Sequence, residues 1–273
     1  MKSKLSRVLG LSLFFAFTLA LGQTSESELQ LGVAAYKNNH YDEAISHFEK
    51  AAQLDPSNIS AHLYLATTHT SLYIPGVDSP DNVAEADHAV AEYQEVLGLS
   101  SNKEQRVNSS KGIAYLFLNL KRWDDARTYY LMAADIDLND PEPYYSIGVI
   151  AWSQCYRPRM EERARLGLRP DQQLSAKNPE QRKLCDDLRA KNWSVIEDGI
   201  MNLDKAINLR PDYDDAMAYM NLMYRERADL ECEDPAARNR DLRTADLWVD
   251  KAMATKKARA EKAMGPRRNP QPK

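Results

Sequence analysis

Small and apolar residues return at steps of three and four along most of the chain, the period of a helix with one buried stripe. The plainest run is Ala44, Phe48, Ala51 and Leu54, closed by Asp55 and Pro56. It recurs as Ala89, Tyr93, Val96 and Leu99, as Ala126, Tyr130, Ala133 and Ile136, and as Gly199, Leu203, Ala206 and Leu209 ahead of Pro211. A shorter form, Ala245, Val249 and Ala252, follows near the end. A second kind of stripe accompanies these: Leu31-Gly32 with Tyr36, Ala61 to Ala66, Gly112 to Leu116, Tyr144 with Ile147-Gly148, and Met217 with Met220, Asn221 and Tyr224. The pattern predicts paired amphipathic helices. Only 10 glycines occur in 273 residues and β-branched runs are scarce, so the expected class is all-α.

From Leu31 to Pro56 the order of small, aromatic and proline positions resembles one tetratricopeptide repeat almost position for position. In that motif small residues let two antiparallel helices approach, the aromatic fills the gap between them, and proline closes the second helix. The five second-helix patterns are spaced by 45, 37, 73 and 46 residues, against a family period of about 34. Three repeats therefore carry large insertions. The resemblance implies a right-handed superhelical solenoid of about five helix pairs, at about 25–58, 59–102, 107–140, 141–213 and 214–264, with insertions inside repeats two, four and five. One pair cannot bury its apolar face alone, so neighbours stack and leave a concave surface as the expected binding face. The layout is similar to exported bacterial members of the family without an assigned activity.

The N-terminus changes where such a solenoid would work. Lys2, Lys4 and Arg7 precede an apolar run from Val8 to Leu21, the pattern of a secretory signal peptide covering 1–22. The run falls short of the roughly 18 apolar residues of a spanning helix, and no later stretch repeats it. The expectation is a periplasmic or secreted chain with no transmembrane segment after cleavage. Net charge is −4; without the leader's three cations it is −7, and residues 249–273 hold +6, leaving −13 on the body. An acidic body thus precedes a basic end, whose last nine residues, 265–273, are expected to be a disordered tail. Export argues against nucleic acid as a partner.

The longest insertion, 153–191, has ten basic and six acidic residues and few aliphatic ones. It is expected to lengthen both helices of repeat four into a protruding antiparallel hairpin, turning near Gly167 to Asp171. Cys155 and Cys185 each lie 15 residues from Pro170, so a disulfide between them is one reading. Cys232 makes the count odd, and three buried small side chains are the other. The insertion at Tyr73 to Asp78 reads as an ordered loop ending on Ser79-Pro80, a helix cap followed by a first-turn proline.

No motif for chemistry rises above this background. The cysteines lack zinc-binding spacing, no phosphate-cradling glycine loop occurs, and a nucleophile elbow is absent. His62 and His69 share a helix face but occupy positions where the family places core aromatics; His40, His47 and His88 read as surface residues. Met217 and Met220 read as core. No metal, cofactor or catalytic residue is expected. In the family the first helices line the groove, and matching positions gives Tyr36, Lys37, Tyr115, Asn119, Tyr145, Trp152 and Arg225. Tyrosine and tryptophan supply large contact area with a polar handle, the chemistry of peptide recognition; the alternative is that some of them pack on the next repeat. Family members that grip the carboxylate of chaperone tails use Lys and Asn where this chain has Leu29 and Val33, which argues against that partner. The reading is a non-enzymatic scaffold for protein or peptide segments, with a self-assembling envelope component, a homo-oligomer, as the second reading.

Overall fold

The computed structural model describes residues 23–169 and 172–264. Ten helices follow one another: α1 (Ser25–Lys37), α2 (Tyr41–Leu54), α3 (Ile59–Leu72), α4 (Pro80–Leu99), α5 (Lys103–Asn119), α6 (Trp123–Ile136), α7 (Pro141–Arg165), α8 (Pro179–Leu209), α9 (Asp214–Asp229) and α10 (Pro235–Met264). Local chemistry sets their ends. Thr24 and Ser27 form a reciprocal capping box on α1, and Asn58, Ser79, Asn102, Asp140 and Asn178 each accept a first-turn backbone N–H. Pro80, Pro141 and Pro179 follow three of these caps, where a missing N–H costs nothing. The turns inside the first and third pairs are alike: each reverses through one left-handed residue, Asn39 (φ 60°) or Lys121 (φ 59°).

The helices pack in consecutive pairs, α1 with α2 through to α9 with α10, and each pair then stacks on the next. This is an all-helical solenoid of five pairs. First helices of neighbouring pairs touch, α1 with α3 and α7 with α9, whereas among the described residues no second helix packs comparably on the next second helix. The side on which like helices crowd together is the inside of an arc, so the odd-numbered helices line it. Within pairs the small positions act as the motif requires. A Cβ on Gly32 would meet the Phe48 ring at 2.5 Å, one on Gly112 the Tyr93 ring at 2.7 Å, and one on Gly148 would fall 2.6 Å from Leu203 Cδ2. Phe48 and Leu203 are fully buried.

The long insertion departs from expectation. It does extend both helices, α7 to 25 residues and α8 to 31, and Gly167 takes a left-handed φ of 66° in the turn; Pro170 and Asp171 lie outside the described residues. It does not protrude. Cys155, Leu174, Leu184, Cys185 and Leu188 join one core with Met217, Met220, Met223, Leu230 and Cys232 of repeat five. The hairpin lies along α9 and the α9–α10 connection, because that is where its few apolar side chains find cover. Charged residues then fill the rest of the seam. Arg159, buried in α7, holds Glu226 of α9 at 2.7 Å and also pairs with Asp229. Arg189 pairs with Glu231 at 2.9 Å.

The cysteine reading is overturned at the same place. Cys185 is bonded to Cys232, 47 residues away with a Cα–Cα distance of 6.4 Å, and Cys155 is a buried free thiol. The Cys155–Cys185 bond, one of the two readings of the cysteines, requires that the hairpin close on itself. Instead Cys185 faces outward from its pair toward repeat five, so the bridge staples α8 to the α9–α10 connection.

Candidate protein-binding face

The aromatic residues proposed for the inner face separate into two groups. On α1, Tyr36 lies 6.3 Å from Tyr64 of α3 and 5.6 Å from Tyr41, and its hydroxyl is 3.4 Å from Ser71 Oγ. It serves the joint between the first two pairs. Lys37 is exposed in the last turn of α1, where a cation suits the negative end of the helix. On α5, Tyr115 is 42% exposed. Asn119 donates from Nδ2 to the Tyr115 carbonyl at 2.8 Å, closing its own helix end. Arg225 is exposed but engaged: it donates to Asn221 at 2.8 Å and to Asp246 of α10 at 2.7 Å. That ties it to the partner helix.

The second group is a cluster. Tyr145 and Trp152 stand two turns apart on α7, and Tyr219 of α9 meets both nearly edge to face, at 5.7 and 5.6 Å between ring centroids. Trp152 stacks on Tyr156 at 4.7 Å, and Tyr145 rests against buried Tyr213 at 4.9 Å. Five rings thus run along the α7–α9 seam on the inner side, with Tyr145, Trp152 and Tyr219 half-buried and Tyr156 exposed. Such pairs hold one another in place by quadrupole geometry. Tyr156 and Tyr219 were not among the residues picked from the sequence. Tyr156 follows Trp152 by one helical turn, but residues after Ser153 read there as insertion.

Burial shapes the electrostatics of this cluster. Desolvation pushes the Tyr145 phenol far above its ordinary range, with Tyr219, Tyr213 and the Asp215 carboxylate adding to the effect. Tyr213 is pushed up to about 12, again chiefly by burial, and Tyr219 is raised by burial and by Asp215. The phenols stay neutral hydrogen-bonding groups at any physiological pH.

The histidines are occupied within the stack. His62 and His69 are buried, and their Nδ1 atoms lie 2.6 and 2.7 Å from Glu92 and Glu85 of α4. The histidines are seven apart on α3 and their partners seven apart on α4 in the opposite sense, as antiparallel helices require. His47, expected at the surface, is instead half-buried against Glu28 of α1 at 2.7 Å. A carboxylate from the neighbouring helix, nineteen residues upstream, is what draws it in. His40 and His88 are exposed. Met217, Met220 and Met223 are buried in the last core.

A solenoid of paired helices with a partly exposed aromatic strip on its inner face is the architecture of an interaction scaffold. Residues 26–58 match the family model described as tetratricopeptide repeat. Residues 26–58 thus carry a tetratricopeptide repeat, and the rest of the described chain has the fold of a solenoid of such helix pairs. Solved structures with the same fold include the MamA protein (TM-score 0.56, 13% identity, covering 86% of this chain and 93% of that one). MamA residues 41 to end from Desulfovibrio magneticus RS-1 give TM-score 0.54 at 15% identity, covering 89% and 100%. YrrB, described as a tetratricopeptide-repeat protein with an unusual peptide-binding site, gives TM-score 0.50 at 12% identity, covering 87% and 92%. No curated protein sequence matches the chain.

Proposed function

We propose that this protein is an exported, non-enzymatic scaffold that holds protein or peptide segments on the inner face of its solenoid. The observation that carries the reading is the aromatic strip Tyr145, Trp152, Tyr156 and Tyr219, ordered by mutual packing yet partly open. Pre-ordered aromatic side chains lose little entropy on binding, which is why they dominate recognition of extended segments. YrrB, of like fold, is described by its peptide-binding site. Export rests on the leader at 1–22, which lies outside the described residues, as does the tail 265–273; among the described residues no helix is long and apolar enough to cross a membrane.

The test is crosslinking in the native envelope followed by mass spectrometry, comparing wild type with a Tyr115→Ala/Tyr145→Ala/Trp152→Ala variant of verified helicity. A partner captured by wild type and lost in the variant supports the reading; a partner captured equally by both removes it. Self-assembly is the second reading, and one observation favours it. Leu247 and Met253 of α10 are 67% and 60% exposed, beside an open hollow of about 280 Å³ lined by Ala218, Asn221, Val249 and Ala252. That is where a sixth pair would stack. Sedimentation of wild type against Leu247→Glu/Met253→Glu decides it: only a self-assembling chain shifts toward monomer.

A further inference from the structure

Within the aromatic strip the rings are not equivalent. Tyr213, at one end, lies under the Arg210 guanidinium at 4.4 Å, and Tyr156, at the other, lies 5.6 Å from that of Arg159. Elsewhere the chain repeatedly covers ring faces with its own cations: Arg122 over Phe117 at 4.1 Å, Arg189 over Trp193 at 4.4 Å, Arg227 over Tyr224 at 4.7 Å and Lys251 over Trp248 at 4.4 Å. The three rings at the middle of the strip, Tyr145, Trp152 and Tyr219, have none among the described residues, although all three are partly exposed.

A carboxylate stands beside them in the same condition. Asp214 is held by Arg259 at 2.6 Å, but its neighbour Asp215 is exposed and makes no ion pair among the described residues, although Lys256 lines the same hollow. Asp215 stands one helical turn before Tyr219 on α9, at the edge of the cluster. Ring faces carry the negative side of the aromatic quadrupole, and a neighbouring carboxylate adds full charge to it. We infer that the Tyr145–Trp152–Tyr219 cluster with Asp215 is a subsite for a lysine or arginine side chain of the bound protein segment.

This deepens the binding-face reading and rests on it. The positive group lies against the rings while Asp215 neutralises it from the rim. A basic segment also suits the acidic body of the chain, which carries −13 between 23 and 248 and would speed encounter at low salt. An acidic segment would place like charge against Asp215.

The experiment is an array of random immobilised peptides probed with the full chain as wild type, Tyr219→Leu and Asp215→Asn, each checked for native helicity. The expected result is a set of peptides that lose wild-type binding with Tyr219→Leu and are enriched in Lys and Arg. Replacing the basic residue of a top binder by norleucine should weaken it by about tenfold. Asp215→Asn, on an exposed residue, should weaken the same peptides by about threefold at low salt and less at high salt. Peptides that depend on Tyr219 but show no basic enrichment, or norleucine variants that bind as well, overturn the subsite and leave the binding face standing. Binding indifferent to Tyr219→Leu, or absent altogether, removes the binding face and the subsite together.

Discussion

Of the described glycines, Gly148 is the one where an added Cβ would come nearest a neighbouring side chain, and the same substitution made there and at Gly98 should have effects of opposite sign. Both glycines sit in helices, where alanine is favoured by about 1 kcal/mol in an interior and less near an end. At Gly98, in the last turn of α4, an added Cβ meets nothing within 4 Å, so Gly98→Ala should stabilise by about 0.5 kcal/mol. At Gly148 the Cβ would fall 2.6 Å from Leu203 Cδ2 and closer still to its Cγ. Leu203 is fully buried beside Ala206 and Ala151, so it cannot swing away. Overpacking of this kind costs about 1–3 kcal/mol, and the severity of the overlap points to the upper end. Less the propensity gain, Gly148→Ala should destabilise by about 2 kcal/mol. Urea unfolding followed by circular dichroism and by tryptophan fluorescence measures it, the latter because Trp152 and Trp193 lie in repeat four and pack against its core. A Gly148→Ala midpoint at or above that of Gly98→Ala would refute the packing reasoning.

Reducing the Cys185–Cys232 bond releases a 47-residue loop, worth about 4 kcal/mol by loop entropy; the fluorescence transition of the C-terminal repeats should move to lower urea under reductant, and one thiol, Cys155, should be counted under oxidising denaturation. In the buried seam, Arg159→Met removes the ion-pair partner of buried Glu226 and should cost about 3 kcal/mol, whereas Arg159→Met/Glu226→Leu should recover much of it, because Asp229, the other carboxylate on Arg159, keeps Arg163 at 3.6 Å. Thermal melts of the two variants are the check. The Tyr213 phenol is raised to about 12 in the fold while the unfolded chain ionises near 10. The folded state thus holds a proton that the unfolded chain releases, so stability should fall as pH rises from about 10 to 12, and Tyr213→Phe should flatten that fall.

Much of the fold was legible because each pair repeats one local code. Ala44, Phe48 and Ala51 in α2 and their counterparts in α4, α6 and α8 are buried as the three-four period requires, and Ser79-Pro80 caps α4 as its residue types demand. What the sequence left hidden is long-range. Cys185 meets Cys232, and Arg159 meets Glu226, only after the hairpin of repeat four lies down on repeat five, and no local period reports that choice. The inner face was legible in part: Tyr145 and Trp152 fall within the cluster, but the resemblance could not show that Tyr36 joins the first two pairs or that Arg225 is taken by Asp246. Tyr219 enters through α9, sixty-odd residues from Trp152 in sequence, a contact that only the stacking of pairs creates.

In the proposed scaffold the inner face, and not the outer, meets the partner. A photo-crosslinking amino acid placed at Tyr115, 42% exposed on first helix α5, and in a second protein at Met201, 64% exposed on second helix α8, tests it directly in the native envelope. A discrete heterologous adduct is expected from position 115 and none from 201. Equal adducts from both, or adducts from 201 alone, would contradict it.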